Sequence, residues 1–446
     1  MGRKAKCATG CQQEKGERFA YLTNLENMPR FIYDDLFING KRHLSLIRIL
    51  FLNYINGGVN MASFKDRAGI YVSSEDGKYK AFQPKDLPPR PPVKLEGRLL
   101  KLLSEADRSL GRLDGVTEVL PDPDLFVMMY VKKEAVLSSQ IEGTQASLLD
   151  VLEFEARAID PNKPSDVNEV VNYIGAMNLG LERIKAKNRI DIGLIKDIHS
   201  RLMQEVRGGE KKPGMLRDVQ NWIGPPGCSI DEAMFVPPTP KDMMDALERL
   251  EDFMNEDDDP PPLLKVGLVH SQFETIHPFL DGNGRVGRLL ITFLLTDKDY
   301  LSRPLLYLSY YFKLNRPEYY DLLQSVRDSG TWEEWLEFFL TGIIFTCNNA
   351  IETSMKILDV RKNKQELLTA NLGLRLGQGL KLFDELFNKP VITVKRVCEI
   401  TGLSYQNANK LASTFEELKI LKEVTGQKRN RVFEFEEYMD ILNEGI

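Results

Sequence analysis

A short polar segment between two apolar stretches constrains this chain more than any other feature. The segment runs from His277 to Arg288 and reads HPFLDGNGRVGR. Apolar residues at helical spacing lie before it, from Leu263 to Ile276, and after it, from Leu289 to Leu295. This pattern predicts two buried helices joined by a turn. A connection between buried helices needs polar residues, but it does not need this particular set.

The residues of this turn are suited to binding an anion. Gly282 and Gly284 flank Asn283 and permit positive φ angles, so successive backbone N–H groups can converge on one point. That point lies at the start of a helix, whose free N–H groups and dipole attract negative charge. Arg285 and Arg288 are three positions apart, so they share one face of this helix and add two cations.

Two further side chains of the segment point to chemistry as well as binding. His277 is a titratable base near neutral pH, and Asp281 offers hard oxygen ligands to a metal ion. Together with the anion cradle and the two arginines, they indicate phosphoryl or nucleotidyl transfer. The alternative is a plain helix connection with a core histidine and solvated arginines. That alternative explains any one of these features, but not all of them in one uninterrupted order.

The segment resembles the signature of the Fic family, HPF-x-x-GNGR-x-x-R, and contains every fixed position of it. Fic proteins typically transfer AMP from ATP to a hydroxyl side chain of a protein. The resemblance implies that His277 is the general base and that Asp281 holds Mg²⁺ against the phosphates. It implies that Arg285 binds the phosphate chain and that Arg288 reaches the γ-phosphate. The phosphate cradle would consist of Gly282, Asn283 and Gly284.

A second motif ends a helix predicted from Leu125 to Glu142. A glutamate in the last turn of a helix is unfavourably placed, because that end already carries partial negative charge. It is either a solvated residue or the partner of a cation from elsewhere. Ser138, Glu142 and Gly143 resemble the inhibitory motif of many Fic proteins: Ser or Thr, three variable residues, Glu, then Gly or Asn. In those proteins the Glu pairs with the second arginine of the signature, here Arg288, and obstructs the γ-phosphate.

Two regions are candidates for contacts with substrates. Residues 221–240 are rich in Gly and Pro, which predicts a short β-hairpin rather than a helix. The resemblance implies a flap here that pairs with the target segment as an added strand, and a loop packed on the core is the alternative. The flap is placed at Ser229, Ile230, Asp231, Glu232, Ala233, Met234 and Phe235. Asn315, with Tyr310 and Tyr311, either encloses the adenine or ribose or only packs.

Composition bounds the class of protein. The 446 residues predict about two or three domains, and 42% hydrophobic with 28% charged residues is typical of a soluble globular protein. A net charge of −6 gives no general attraction to nucleic acid or anionic membrane. Five scattered cysteines predict a reducing compartment and complete no zinc pattern. The most membrane-like stretch, Leu44 to Ile55, is too short to span a bilayer and is not a convincing signal peptide, so we expect a cytoplasmic protein.

Helical periodicity and helix-capping residues divide the chain into five parts. These are a leader of unknown role (1–60), for which a non-native or misassigned segment is one alternative, an N-terminal segment with a Pro-rich linker (61–91), helices carrying the inhibitory motif (92–206), a Fic core with the flap (207–361) and a C-terminal unit (376–446). The helices are predicted at Leu95–Leu110, Leu125–Glu142, Ser147–Ile159, Ser165–Lys187, Asp191–Val206, Pro240–Asn255, Leu263–Ile276, Pro304–Leu314, Glu318–Asp328 and Trp332–Arg361. A polar connector, 362–375, would join the core to the C-terminal unit.

The C-terminal unit resembles a winged helix-turn-helix. Three helices around a tight turn at Gly402 precede a predicted hairpin, 421–435. The tip of this hairpin carries Lys428, Arg429 and Arg431, which are suited to a phosphate backbone. The helix after the turn is not markedly basic, so we favour protein contact over DNA binding.

The resulting prediction is a mainly α protein: a Fic-type helical bundle with a β-hairpin flap and a C-terminal winged helix. Its implied function is protein adenylylation with ATP and Mg²⁺, held in check by Glu142. The substrate would be a hydroxyl side chain of a target protein and of the chain itself. The alternatives are Fic-type transfer of another nucleotide or phosphate-containing group, and a DNA-binding regulator. The sequence names neither the target nor the oligomeric state, for which a homodimer is one alternative.

Overall fold

Helices with buried apolar faces make up most of the molecule. The computed structural model describes residues 64–446 except 76, 120–122, 157–165, 188, 207–210, 257–259, 428–430 and 445–446. All of these residues belong to one compact unit, Ala62–Ile446. The predicted leader, the predicted N-cap Ser165 and the hairpin-tip residues Lys428 and Arg429 lie outside the described residues. In the described part of the chain, no helix combines the length and apolarity needed to cross a bilayer.

The helices occur in three successive groups. The first contains α1 (Gly97–Val119), α2 (Pro123–Ile141), α3 (Leu148–Glu155), α4 (Val167–Lys187) and α5 (Ile192–Leu202). The second contains α6 (Pro240–Asn255), α7 (Pro262–Ile276), α8 (Asn283–Asp297), α9 (Ser309–Leu314), α10 (Arg316–Ser329) and α11 (Trp332–Asn371). The third contains α12 (Leu376–Asn388), α13 (Val394–Thr401), α14 (Tyr405–Glu417) and α15 (Glu436–Asn443).

Two small sheets accompany the helices. Strands β1 (Gly69–Ser73) and β2 (Lys80–Pro84) form an antiparallel hairpin in which Ile70 faces Gln83. Strands β3 (Val391–Thr393), β4 (Lys422–Glu423) and β5 (Val432–Glu434) form an antiparallel sheet with β5 in the centre. Short 3-10 turns occur at Phe64–Asp66, Ile230–Glu232 and Gly373–Arg375. The chain is thus mainly helical, as predicted.

Helix α7 forms the centre of the core. Every residue from Leu263 to Ile276 is buried, because α6, α8, α10 and α11 pack around the helix. Its polar residue His270 is satisfied inside the core, with Nδ1 3.0 Å from the Gly287 carbonyl and Nε2 2.8 Å from the Tyr319 hydroxyl. This burial confirms the prediction of two apolar helices flanking the polar turn. It also fixes both ends of that turn.

Several helices begin at the predicted capping residues. The Asp191 side chain accepts a hydrogen bond from the Leu194 N–H at 2.6 Å, and Thr239 accepts one from Asp242 at 3.3 Å. Ser147 and Asp150 form a capping box at the start of α3. Side-chain oxygens at these positions satisfy N–H groups that have no partner within the helix.

Some helix ends differ from the prediction. Helix α11 continues to Asn371, so the predicted connector is helical over 362–371. Leu368 is fully buried there, and residues 362–372 contain no Gly or Pro to end the helix. Helix α9 begins at Ser309 instead of Pro304. The four apolar residues after Pro304 are all buried, which one face of a surface helix could not achieve. Helix α5 ends at Leu202, shortly before Glu205 takes a positive φ of 53°.

The predicted flap is not a regular β-hairpin. One antiparallel bridge, between Ile223 and Phe235, closes a loop whose outer part is the 3-10 turn at Ile230–Glu232. The Ser229 N–H and hydroxyl both donate to the Glu232 carboxylate, at 3.2 and 3.0 Å, which stabilises that turn. The strand prediction was wrong because a ladder cannot extend through residues that have no N–H group. These residues are Pro225, Pro226, Pro237 and Pro238.

The C-terminal elements pack on the core through α2 and α11. The Lys133 ammonium of α2 donates to the Glu444 carbonyl at 3.4 Å, and Lys364 of α11 pairs with Glu437 at 2.6 Å. The tight turn at Gly402 is present, with a φ of 71°. The predicted hairpin occurs as β4 and β5, while β3 was not predicted, because a strand of three residues gives too little periodicity to recognise.

We expect Asp191→Ala to lower the free energy of unfolding by about 1 kcal/mol, because α5 would lose its N-terminal cap. Chemical denaturation would measure this change. Asp191→Asn is the matched control and should retain most of the stability, since its amide oxygen can accept the same hydrogen bond. Equal losses in both variants would contradict the capping role.

Candidate active site

The turn between α7 and α8 reverses the chain with two left-handed residues. His277 ends α7 with φ 50° and ψ 61°, and its N–H donates to the Phe273 carbonyl at 3.0 Å. Gly282 precedes α8 with φ 77°. A positive φ is ordinary for glycine but costs energy for a histidine. The surrounding contacts therefore have to hold His277 in this conformation.

The Asn283 side chain fixes the loop internally. Its Oδ1 accepts from the Phe279 N–H at 2.8 Å, and its Nδ2 donates to the Phe279 carbonyl at 2.9 Å. Both polar ends of the amide are therefore engaged within the turn. The Asn283 side chain therefore stabilises the turn around Phe279.

His199 of α5 contacts the loop between α7 and α8. The sequence did not predict a role for this residue. Its ring stacks on Phe279, with centroids 3.8 Å apart and an interplanar angle of 5°. The Gly214 N–H donates to Nδ1 at 2.8 Å, so Nε2 carries the hydrogen and donates to the Asp281 carbonyl at 3.0 Å. Burial lowers the pKa of His199 to about 4, so the ring is neutral at pH 7.

Arg217 joins the flap to the loop and was also missed. Its Nε donates to the His277 carbonyl at 2.9 Å, and its Nη2 donates to the Pro238 carbonyl at 2.6 Å. Asn221 adds a bond from Nδ2 to the Phe279 carbonyl at 3.0 Å. A lone arginine in an irregular segment carries no periodic signal, so sequence reasoning had no means to find it.

A carboxylate lies at the position expected for an anion. A Cβ at position 284 would be 2.3 Å from Glu142 Oε1, which shows that this oxygen lies against the first turn of α8. Glu142 Oε1 is 2.7 Å from Arg288 Nη2, and the Arg288 side chain is only 1% exposed. Arg288 Nε also donates to Ser138 Oγ at 2.8 Å. The end of α2 and the two residues after it therefore lie directly on the arginine, and Gly143 turns the chain away with a φ of 96°.

Arg285 is buried with unused hydrogen-bond donors. Its Nη2 contacts Met203 Sδ at 3.5 Å, and its Nη1 is 3.6 Å from Glu169 Oε2. Within the part of the chain that the structure describes, its Nε and Nη1 make no hydrogen bond. Buried donors of this kind are rare in folded proteins and call for a hydrogen-bond acceptor. A phosphate oxygen is a suitable partner.

Asp281 faces outward at the mouth of the site. Its Oδ1 accepts from the Gly282 N–H at 2.7 Å, and its Oδ2 is 3.3 Å from Lys211 Nζ. Its side chain is 37% exposed. Among the described residues no group of three or more His, Cys, Asp or Glu side chains could hold a metal. One carboxylate completed by phosphate oxygens and water suits Mg²⁺, which seldom occupies all-protein cages.

His277 is held as a neutral base. Its Nδ1 is 3.4 Å from the Glu274 carbonyl, which can only accept, so Nδ1 carries the hydrogen and Nε2 keeps its lone pair. Burial and the neighbouring Arg327 and Arg217 lower the pKa of His277 to about 4, below the value near 6.5 expected from the sequence. The ring can therefore accept a proton at any physiological pH.

The residues predicted to contact the nucleoside or the target make the following contacts with residues outside the turn from His277 to Arg288. Asn315 lies between α9 and α10, where its Nδ2 donates to the Tyr311 carbonyl at 2.9 Å. Tyr310 is buried, and Tyr311 packs on Phe338 with ring centroids 5.0 Å apart. A contact of Asn315 with a nucleotide stays a prediction. In the flap loop, Met234 is 75% exposed.

Two regions of the chain match known protein-family models. Residues 100–182 match the N-terminal model of the Fic/DOC family, and residues 189–295 match the Fic/DOC family model. The chain therefore contains Fic/DOC family domains. The first match includes Ser138, Glu142 and Gly143, and the second includes the whole turn from His277 to Arg288. The two halves of the carboxylate–arginine contact thus come from the two matched regions.

Curated relatives are similar to part of this chain. The chain is 32% identical over 182 residues to a protein adenylyltransferase Fic of Drosophila willistoni, covering 38% of this chain and 34% of the relative. It is 28% identical over 207 residues to the protein of that name in Culex quinquefasciatus, covering 44% and 37%. The chain spans about a third of the length of these curated relatives. A crystal structure of a Fic family protein from Desulfovibrio desulfuricans G20 shares the fold, with a TM-score of 0.51, 18% identity and coverage of 77% of this chain and 97% of that one.

We expect His199→Phe to destabilise the protein by about 1–3 kcal/mol, because the ring stack would persist while the Asp281 carbonyl and the Gly214 N–H would lose their partners. Urea denaturation would measure the loss. His199→Gln should lose less, since its amide can still donate to the Asp281 carbonyl. If the Phe variant were as stable as the wild type, the two hydrogen bonds would have no structural role.

Proposed function

We propose that this chain is a protein adenylyltransferase, which transfers AMP from ATP to a hydroxyl side chain. The observation that carries the proposal is the Glu142 carboxylate at the start of α8, 2.7 Å from the buried Arg288. A negative group of the chain itself lies in an anion site at a helix N-terminus, beside a neutral histidine. The relatives named protein adenylyltransferase support the same reaction.

The phosphates of ATP fit the cationic side of this site. The first turn of α8 supplies free N–H groups. Arg285 supplies Nε and Nη1, which make no hydrogen bond to any described residue. Arg288 would reach the terminal phosphate once Glu142 is displaced. Three sources of positive potential in a row match the negative charge along a triphosphate.

Asp281 would hold Mg²⁺ together with the phosphates. The Asp281 side chain is 37% exposed, so an ion from solvent can reach it, and its Oδ2 at present pairs with the Lys211 ammonium at 3.3 Å. The ion would neutralise charge that develops on the phosphate oxygens during transfer. Lys211 would then have to move away from Asp281.

His277 would act as the general base. Its Nε2 would take the proton from the target hydroxyl while that oxygen attacks the α-phosphorus of ATP. The bond from the α-phosphorus to the oxygen bridging to the β-phosphate would break, and pyrophosphate would leave with that oxygen. Positioning and charge neutralisation account for most of the catalysis in such displacements. This is why the turn is held by so many contacts.

The target would enter beside the flap loop, residues 223–235. Met234 in this loop and Trp222 just before it offer exposed apolar surface, and an extended segment could pair with the loop backbone. The chain's own hydroxyl groups are further candidate substrates. The predicted homodimer and cytoplasmic location stay predictions.

A DNA-binding regulator is less well supported. Of the three predicted hairpin-tip cations, Arg431 is described, and its guanidinium bonds Asn409 at 2.8 Å and Ser413 at 3.1 Å and pairs with Glu416 at 3.5 Å. These contacts direct Arg431 to the adjacent helix α14 instead of to a phosphate backbone.

We expect His277→Ala to reduce AMP transfer by about 10²–10⁴-fold, because the attacking hydroxyl would lose its base. ATP binding should persist, since the arginines and the start of α8 are unchanged. Intact-mass spectrometry after incubation with ATP would detect transfer to the chain itself, and isothermal titration calorimetry would measure binding. Parallel incubation with UTP would test another donor. Wild-type transfer by His277→Ala would refute the assigned base.

We expect Glu142→Gly to raise AMP transfer at least about tenfold, because Arg288 and the start of α8 become available to the phosphates. The double variant Glu142→Gly with Arg288→Ala is the control, and it should lose the gain. Rates would be compared at matched ATP and Mg²⁺ concentrations. An unchanged rate in Glu142→Gly would make Glu142 an ordinary helix-end residue.

A further inference from the structure

A second buried carboxylate lies along the same face of α8 as Glu142. Glu274, in the last turn of α7, is 7% exposed, and its Oε1 has no hydrogen-bond partner in the described part of the chain. A Cβ at position 287 would be 2.5 Å from this oxygen, as one at position 284 would be 2.3 Å from Glu142 Oε1. These two positions are one helical turn apart, so both carboxylates flank the side of α8 that carries Arg288.

Charged and titratable groups from three other elements face Glu274. They are Arg288 on α8, Glu142 at the end of α2, and Arg327 and Tyr319 on α10. Burial raises the pKa of Glu274 to about 7, while Arg288 and Arg327 oppose this rise and Glu142 adds to it. Both protonation states of Glu274 are therefore accessible near neutral pH.

Release of Glu142 would create an electrostatic problem. The Arg288 side chain is 1% exposed, and among the described residues it would keep hydrogen bonds to the Ser138 hydroxyl and carbonyl alone, at 2.8 and 3.0 Å. A buried charge that loses its counter-ion is strongly unfavourable. Glu274 is the nearby carboxylate whose Oε1 is still unpartnered.

We propose that Glu274 is the alternative counter-ion of Arg288, which takes over the guanidinium when Glu142 withdraws and holds it for the phosphates of the donor. The inference rests on the proposed adenylyltransferase function and makes Glu274 a positioning residue. Ionised Glu274 attracts Arg288 and repels Glu142, so it favours release. When Glu274 is protonated, it does not compete for Arg288, and the ion pair between Arg288 and Glu142 persists. Release therefore increases as the pH rises through about 7.

Two other groups need to be separated from this effect. His277 has a pKa of about 4 and stays neutral between pH 6 and 8. Burial also raises the pKa of Glu134 to about 7, on α2 beside Arg288. However, the Glu134 carboxylate already accepts from the Ser309 N–H at 3.2 Å and from the Tyr173 hydroxyl at 3.2 Å. Glu134 is thus engaged in the fold, which makes Glu134→Gln the matched control.

The test is the dissociation constant of a non-hydrolysable ATP analogue with Mg²⁺, measured by calorimetry at pH 6 and pH 8. Titration of the nucleotide itself is common to all proteins, so the ratio of affinities between wild type and Glu274→Gln isolates Glu274. We expect this ratio to be near one at pH 6 and roughly tenfold in favour of wild type at pH 8. Glu134→Gln should follow the wild type.

A ratio that stays constant between pH 6 and 8, or a loss of the pH effect in Glu134→Gln instead, would overturn the proposal. If Glu274→Gln does not fold, Gly287→Ala serves as the test variant. Its methyl group would displace the Glu274 carboxylate, so the increase in affinity for the ATP analogue at pH 8 should be smaller than in the wild type. AMP transfer by a separately prepared Glu142→Gly variant, assayed under the same buffer conditions, tests the underlying function. Absence of transfer with an intact pH effect would refute the reaction and leave the Arg288–Glu274 coupling standing.

Discussion

Arg288 places a permanent positive charge in the interior, where its side chain is 1% exposed. Removing the partner of such a charge typically costs about 3–5 kcal/mol, so the chain has to supply a counter-ion whenever no ligand does. Glu142 meets this need from the end of α2, a position that is unfavourable for a carboxylate without a cation nearby. The same contact places a carboxylate at the start of α8. In the proposed enzyme, neutralisation of Arg288 and obstruction of the phosphate site would therefore be one interaction.

The turn from His277 to Arg288 keeps its conformation because both of its ends are held by buried helices. Helix α7 is buried from Leu263 to Ile276, and the loop after it is bonded by Asn283 from within, by His199 from α5 and by Arg217 from the flap. These contacts hold His277 at a positive φ with its Nε2 lone pair free. Burial and two neighbouring guanidiniums keep the ring neutral. The packing around His277 therefore keeps its imidazole in the neutral form.

Features determined by local sequence could be predicted, and features determined by packing could not. The cap at Asp191 and the helices on either side of the polar turn depend on residue type and periodicity alone. Glu142 could be matched to Arg288 only because both belong to recognisable motifs. Arg217 lies in an irregular loop without such a pattern. The end of α11 depends on the burial of Leu368, and the lowered pKa of His277 depends on neighbours that are distant in sequence.

The central claim is that Glu142 occupies a site built for the phosphates of the donor. Crystal structures of the wild type and of Glu142→Gly, each with a non-hydrolysable ATP analogue and Mg²⁺, test it most directly. The account predicts that in the variant a phosphate oxygen lies within hydrogen-bonding distance of Arg288 and of the first turn of α8, where Glu142 Oε1 lies now. Phosphates bound elsewhere, with Arg288 and the start of α8 left without contacts, would contradict it.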